Sequence, residues 1–363
     1  MTVGSAPSIP HYQPPPPTKQ QLDYADLAII DLAKAATPEG RAELAGLARD
    51  AMRDIGFFYI VNHGLSPHET ERVFDIADVP FSHVSDKEKL AYTGNILETG
   101  TDQGYKPRQY WNIDGGVKDQ VENYVINRDV TKRQHPEALR PFLPELSNFA
   151  RKNHDILHTV LRLLAIGLEI PEDTFVNQHG WDADGETYVR FMKYYPRTAE
   201  EEEKSKQVWL KGHTDFGTIT ILWSQPVSAL QILSPDGEWR WLRHIDNALV
   251  INAGDCMEFI SGGFYKATIH RVIQPPEDQR GYTRLGVFYF CNPDNDVVLE
   301  TVSGSSVLER LGIKRSFIDD DTPTAGTWLR GRIAAYGKTQ LSQGQQKGVE
   351  EEVLNGAVVR HYN

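Results

Sequence analysis

The sequence predicts a mainly β protein with flanking helices, folded as a single domain. Three observations carry this. Between Tyr188 and Phe290, short apolar runs alternate with turn signals such as Pro235-Asp236-Gly237, the pattern of an antiparallel sandwich or barrel. Helical periodicity is confined to the stretches before and after that block. The 363 residues are 40% hydrophobic and 24% charged, an ordinary globular composition with enough chain for a sizeable core. Length alone suggests about two domains at roughly 150 residues each, but large β-barrel enzymes reach this size as one. Linkers in the middle of the chain are short, so a barrel wrapped by helices is the simpler reading.

Residues 1–22 include Pro14 to Pro17 and few apolar anchors. They read as a flexible, partly polyproline-like tail, a solvated leader before a ligand for a proline-binding domain. Residues 23–182 form an N-terminal α/β region that packs on the barrel. Within it, Leu27–Leu32 is a short buried-type strand. Thr37 in cap position and Pro38 at the first helical position open a helix whose Leu44, Leu47, Ala48, Ala51 and Met52 recur at helical spacing. Phe57–Val61 is a second strand, Asn62-His63-Gly64 a turn, and a further helix runs from about Pro67 past Val73, Phe74 and Ala77. Residues 98–118, rich in Gly, Tyr and Arg without a period, read as an irregular loop. A long helix covers about 142–168, with Leu146, Phe149, His154, Leu157, Val160, Leu161, Leu164 and Leu168 along one side.

Residues 183–300 are the β core, with runs at Arg190–Tyr195, Gly217–Trp223, Ala229–Leu233, Trp239–Leu242, Ala248–Asn252 and Leu285–Phe290. The Glu200–Glu203 run reads as a solvated loop or helix face. Residues 301–363 form a helical extension, with one helix near 325–338.

Lys and Arg number 38 against 50 Asp and Glu, a net charge of −12. That argues against a general electrostatic nucleic-acid binder, which needs a basic face, and leaves the charge of any pocket open. Two cysteines, Cys256 and Cys291, cannot make a disulfide framework. The N-terminus has no basic segment leading into an apolar one, and no apolar run approaches the roughly 20 residues of a membrane span. The expectation is a reducing, cytoplasmic compartment with no membrane partner.

The sharpest chemical feature is His213-Thr214-Asp215 at the start of a β-like segment. In an extended strand, residues i and i+2 share a face, so the imidazole and the carboxylate can converge on one ion. Two ligands are too few. His270, 55 residues after Asp215, is the best third, on a different strand. Two His and one carboxylate on one face of an ion leave three positions open, an arrangement associated with non-haem Fe(II) oxygenases. Among the other histidines, His154 and His158 share a helix face without an acidic third ligand and read as structural, and His63 reads as a turn residue.

From about residue 26 to 300 the chain resembles the isopenicillin N synthase-like group of Fe(II)/2-oxoglutarate-dependent oxygenases. The resemblance lies in the order and spacing of several pieces: Ile30-Asp31-Leu32, Asp54 to Gly64 (DIGFFYIVNHG), Lys193-Tyr194-Tyr195-Pro196, Gly212 to Gly217 (GHTDFG), Asn252-Ala253-Gly254-Asp255, Ser261-Gly262-Gly263, and Lys266 to Val272 (KATIHRV). It implies a double-stranded β-helix (jelly-roll) core, with His213, Asp215 and His270 binding Fe(II). It also implies O2 and 2-oxoglutarate as cosubstrates, with release of succinate and CO2. The far carboxylate of 2-oxoglutarate normally meets an Arg two residues before a Ser. The corresponding stretch here is Arg284-Leu285-Gly286, so the Arg matches and the Ser does not. A guanidinium fork can still pair with a carboxylate, and the missing hydroxyl is worth about 1 kcal/mol. A water or Tyr195, at a position that contacts the cosubstrate in similar proteins, could substitute. Arg280 competes with Arg284 by its spacing from His270. Arg284 is preferred because it directly precedes the apolar strand, where alternation places it with Gly286, Phe288 and Phe290.

The expected reaction hydroxylates or desaturates, or cyclises or rearranges, a small-molecule metabolite, one of secondary metabolism by the family's habits. Candidate substrate residues are Tyr105, Arg108, Tyr110, Trp111, Asn112, Tyr124, Trp223 and Phe288. Tyr and Trp offer an apolar face with one polar handle. The mixture suggests a medium-sized, partly aromatic or polycyclic compound. Three rival readings stay open: an Fe(II) oxidase on the same fold that does not use 2-oxoglutarate, a zinc hydrolase using the same three ligands, and a non-enzymatic jelly-roll binding protein.

Overall fold

The structure is a computed structural model that describes residues 8–94, 103–313 and 322–335, with the backbone of 342–343, 349–354 and 357–362. Strand β1 (Ile29–Asp31) leads through helix α1 (Pro38–Asp54) to β2 (Phe57–Val61), then α2 (Pro67–Ser82) and α3 (Asp86–Ala91). Strands β3 (Gly104–Lys106) and β4 (Val121–Asn127) precede the long helix α4 (Leu143–Gly167). The β-rich block follows: β5 (Tyr188–Tyr194), α5 (Ala199–Lys204), β6 (Val208–His213), β7 (Ile219–Trp223), β8 (Leu230–Leu233), β9 (Trp239–Trp241), β10 (Leu249–Ala253), α6 (Asp255–Ile260), β11 (His270–Ile273) and β12 (Arg284–Cys291). Two helices, α7 (Ser306–Arg310) and α8 (Ala325–Ala335), precede β13 (Ser342–Gln343), β14 (Val349–Leu354) and β15 (Ala357–Tyr362).

Local chemistry explains the helix starts. The Thr37 side chain accepts from the Gly40 N–H with Pro38 in the first turn, and Ser66 and Glu69 form a reciprocal capping box ahead of α2. The strands form two sheets, one ordered β1-β2-β10-β7-β12-β5-β4-β3 and the other β13-β14-β15-β6-β11-β8-β9. Alternation along β12 divides the core between them. Leu285, Val287 and Tyr289 pack with α1, α2 and α4 in the larger core. Phe288 joins the smaller core between the sheets, with Phe57, Met192, Tyr194, Leu210, Leu222 and Val272.

Three expectations need correction. The N-terminal segment, from residue 8, is an extended strap with fixed partners. Tyr12 stacks on Phe74 with centroids 6.2 Å apart and donates its N–H to Asp75. Gln279 donates to the Pro16 carbonyl, and Thr18 and Lys19 donate to Asp278. Composition cannot reveal such partners, which are long-range; residues 1–7 lie outside the described residues. The C-terminal part is not purely helical. Its last described segments form a β-hairpin that joins the edge of β6, with Tyr362 opposite Gly212; an open strand edge offers unpaired backbone to a Val-containing run. Within Glu200–Glu203, Glu202 is buried and accepts from Trp209 Nε1 at 2.7 Å, and burial raises its pKa. Elsewhere β3 falls inside the expected loop 98–118, whose residues 98–102 are outside the described part, as are 336–338 of the expected last helix.

Candidate metal centre and cavity

The last residue of β6 and the first of β11 are His213 and His270, directly opposed in the antiparallel ladder. Their ring centroids lie 4.5 Å apart. Each ring turns its Nδ1 to a backbone carbonyl, Lys211 O at 2.8 Å and Thr268 O at 3.1 Å. A carbonyl accepts only, so Nδ1 carries the proton and each Nε2 keeps a lone pair directed to the centre.

Asp215 lies two residues past the end of β6, outside any strand, so strand alternation is not what aims it. Side-chain donors do so. Thr220 Oγ1 at 2.6 Å and Asn252 Nδ2 at 2.8 Å both bond Oδ2. Oδ1 is left facing His270 Nε2 at 3.7 Å and His213 Nε2 at 4.0 Å. Ligand atoms of the three residues all lie within 4.8 Å of one another. Burial alone would raise the Asp215 pKa. The two imidazoles and the Thr220 and Asn252 hydrogen bonds outweigh it, and the carboxyl is held below its ordinary range. Two imidazole nitrogens and one carboxylate oxygen, open on one side to a cavity, suit Fe(II).

Arg284 begins β12 opposite Tyr194 of β5 and is 3% exposed. Among the described residues, its Nε and Nη1 have no hydrogen-bond partner. Its guanidinium lies 5.4 Å from the Tyr194 ring, and burial depresses its pKa. A buried, incompletely paired cation facing a cavity fits an anionic ligand. Arg280 is exposed, in the turn after a short 3-10 segment. At Gly286 an added Cβ would stand 2.6 Å from Phe288 Cε2, so the Phe288 ring occupies the space a serine side chain would need.

The three ligands and Arg284 open on one cavity. Of the proposed substrate residues, Tyr105, Tyr110, Trp111 and Phe288 line it. Four do not. Tyr124 is fully buried against His135, and Trp223 faces the helices, where its Nε1 donates to Asn153. Asn112 bridges Lys118 at the surface, and Arg108 lies over the outer face of Tyr195. Tyr195 itself turns away from the cavity and donates to Glu122 at 3.1 Å; Tyr194 is the tyrosine that lines the cavity. The parity of β5 accounts for this: Tyr188, Arg190, Met192 and Tyr194 all line the cavity. That period-two set, in register with Arg284 and Phe288, was a legible signal that residue type alone does not give. Lys106 also lines the cavity, 3.8 Å from the Trp111 ring and 2.5 Å from Asp119. Burial pushes its pKa down to about 8 against the opposing pull of Asp119.

Two family profiles match the chain: the 2OG-Fe(II) oxygenase superfamily over residues 186–293, and the non-haem dioxygenase in morphine synthesis N-terminal region over 27–145. A UPF0676 protein of Schizosaccharomyces pombe is 30% identical over 322 residues, covering 85% of this chain and 92% of its own. The 2-oxoglutarate-dependent dioxygenase citB of Monascus ruber is 29% identical, covering 76% of this chain and 84% of its own. A full-length Neurospora crassa protein solved in complex with alpha-KG and 5-formyluracil superposes with a TM-score of 0.73 at 25% identity, over 87% of this chain and 99% of that one. The chain belongs to the 2OG-Fe(II) oxygenase superfamily. It has the jelly-roll fold, and it is a 2-oxoglutarate-dependent dioxygenase, an oxidoreductase that uses Fe(II). Among the described residues, no helix is long and apolar enough to cross a membrane.

Proposed function

We propose that the protein oxidises a C–H bond of a small, planar or partly aromatic metabolite, with 2-oxoglutarate and O2 converted to succinate and CO2. One oxygen atom enters the succinate and the other the product, in the hydroxylation form of the reaction. The observation that carries this is a single cavity holding two imidazoles, one carboxylate and the incompletely paired Arg284 between aromatic walls. His213 Nε2, Asp215 Oδ1 and His270 Nε2 would hold the iron, and Arg284 the far carboxylate of 2-oxoglutarate. When bound, iron supplies the redox chemistry that couples dioxygen to decarboxylation and C–H oxidation. The chain's own residues do the rest. Thr220 and Asn252 keep Oδ2 occupied, so the carboxylate presents one oxygen to the centre. Trp111, Tyr110 and Phe288 offer flat apolar surfaces that would seat a ring and exclude water. The Neurospora crassa protein, solved with 5-formyluracil, supports a small-molecule substrate.

Gly286 favours one second reading, an oxidase on this fold that consumes no 2-oxoglutarate. Arg284 weighs against it. The test is a screen of small metabolites with Fe(II), O2 and 2-oxoglutarate, scored by succinate release against a His213→Ala blank. Succinate coupled to product supports the reading; product without succinate replaces it with the oxidase.

A further inference from the structure

A buried ion pair behind the metal centre takes no part in the chemistry above. Arg332 of α8 is 2% exposed. Its Nε lies 3.2 Å from Asp255 Oδ2, and its Nη2 donates to the Thr214 carbonyl at 3.3 Å. The guanidinium also lies over the Phe216 ring, 4.4 Å from its centroid. Arg332 therefore touches the residues on both sides of Asp215.

Asp255 holds the same turn from another direction. Its N–H donates to the Asp215 carbonyl at 2.8 Å. Gly254 and Cys256 donate to Thr218 O and Gly217 O. Gly254 permits this approach, since a Cβ there would stand 2.5 Å from Gly217 O and 2.8 Å from Asp215 O. The carboxylate ligand sits on a loop, where no strand ladder fixes the backbone. A buried ion pair is a poor source of net stability, because desolvation offsets most of the attraction. What it supplies here is a fixed position for Thr214 and Phe216. The next residue of α8, Ile333, lines the cavity, so one helical turn reaches both the ligand loop and the cavity wall.

We propose that Arg332 is a positioning residue. Through Asp255 and the Thr214 carbonyl, the C-terminal helix α8 holds the Thr214–Asp215 turn in its metal-binding geometry and so sets metal affinity. The inference rests on the reading of His213, Asp215 and His270 as metal ligands.

The test uses full-length protein and Co(II) as an oxygen-stable probe, titrated anaerobically and followed by visible ligand-field absorption. Arg332→Met alone would strand the Asp255 carboxylate and could unfold the chain. The deciding variant is therefore the double Asp255→Asn/Arg332→Met, which removes both charges. It is expected to melt near the wild-type temperature yet bind Co(II) about tenfold more weakly, in the range seen when groups behind metal ligands are lost. Arg332→Lys keeps the charge without the planar fork and should fall between the two. Wild-type Co(II) affinity and an unchanged spectrum in either folded variant overturn the proposal. If His213→Ala binds Co(II) as tightly as the wild type, the metal reading fails and the proposal with it. That outcome is distinct from an effect confined to residues 255 and 332.

Discussion

The two ends of the cavity are built differently. At the metal end, the two histidines sit on paired strands, and each ring has its second nitrogen engaged by a carbonyl. Both Asp215 donors are buried side chains on neighbouring strands. At the mouth, Tyr110 and Trp111 come from an irregular segment, and Tyr110 is 44% exposed. Reaction chemistry needs ligands held to fractions of an ångström, which paired strands and buried hydrogen bonds provide. Substrate choice needs only a surface that can change, and loops change most cheaply.

The comparison breaks first at the metal end. His213→Ala or Asp215→Ala should abolish Fe(II)-dependent succinate release, a loss of at least about a thousandfold, while circular dichroism and melting show a folded chain. Wild-type turnover by either variant would refute the assignment. Next is the proposed anion anchor. Arg284→Ala should raise the apparent KM for 2-oxoglutarate on the order of a hundredfold, the worth of a charge-assisted bond of about 2–3 kcal/mol. Arg280→Ala should leave it unchanged, and the reverse pattern would move the anchor to the exposed arginine. Thr220→Val, which frees Asp215 Oδ2 of one donor, should weaken Co(II) binding by about tenfold.

At the mouth the effects are smaller. Trp111→Ala should change substrate KM by a few-fold and leave metal affinity and the 2-oxoglutarate requirement alone; an equal loss in all three would erase the distinction between the ends. The smallest effect concerns the layer behind the metal loop. Burial pushes His154 down to about 3 and His179 to about 4, so both stay neutral in the fold. His179 Nε2 lies 2.8 Å from Thr218 Oγ1, and His154 Nδ1 lies 3.2 Å from the Tyr289 hydroxyl. Unfolded histidines protonate near 6.5, so below that pH the unfolded chain binds more protons and stability falls as pH drops towards 4. Urea midpoints between pH 7 and 5 should decline, with a shallower slope in His154→Asn.

Much of the metal end was legible because its signals are local. A His-x-Asp pair with a later His names a candidate donor set without knowledge of the fold, whereas Arg284 came from the resemblance to a family and was preferred to Arg280 because it heads an apolar strand. One premise was nonetheless wrong: Asp215 reaches the centre from a loop held by Thr220, Asn252 and Asp255, not by strand alternation. The mouth was half legible. Choosing aromatics by type found Tyr110, Trp111 and Phe288 but also Tyr124 and Trp223, which point to the helical side, as does the ring of Tyr105, the cross-strand partner of Tyr124, whose hydroxyl donates to the Pro80 carbonyl. Parity decides this, and on β7 it turns Leu222 inward and Trp223 outward.

The sequence by itself determined the helix starts at Thr37 and Ser66, the alternation of β12 and the order of the ligands, because caps, pleats and spacing act within a few residues or within one strand. Only the tertiary structure decided that the Phe288 ring fills the place a serine would take at 286 and that Arg332 reaches the ligand loop. The first depends on how the packed Phe288 ring turns, and the second on a segment more than a hundred residues away brought against the loop. Sequence distance carries no trace of that until the chain is packed.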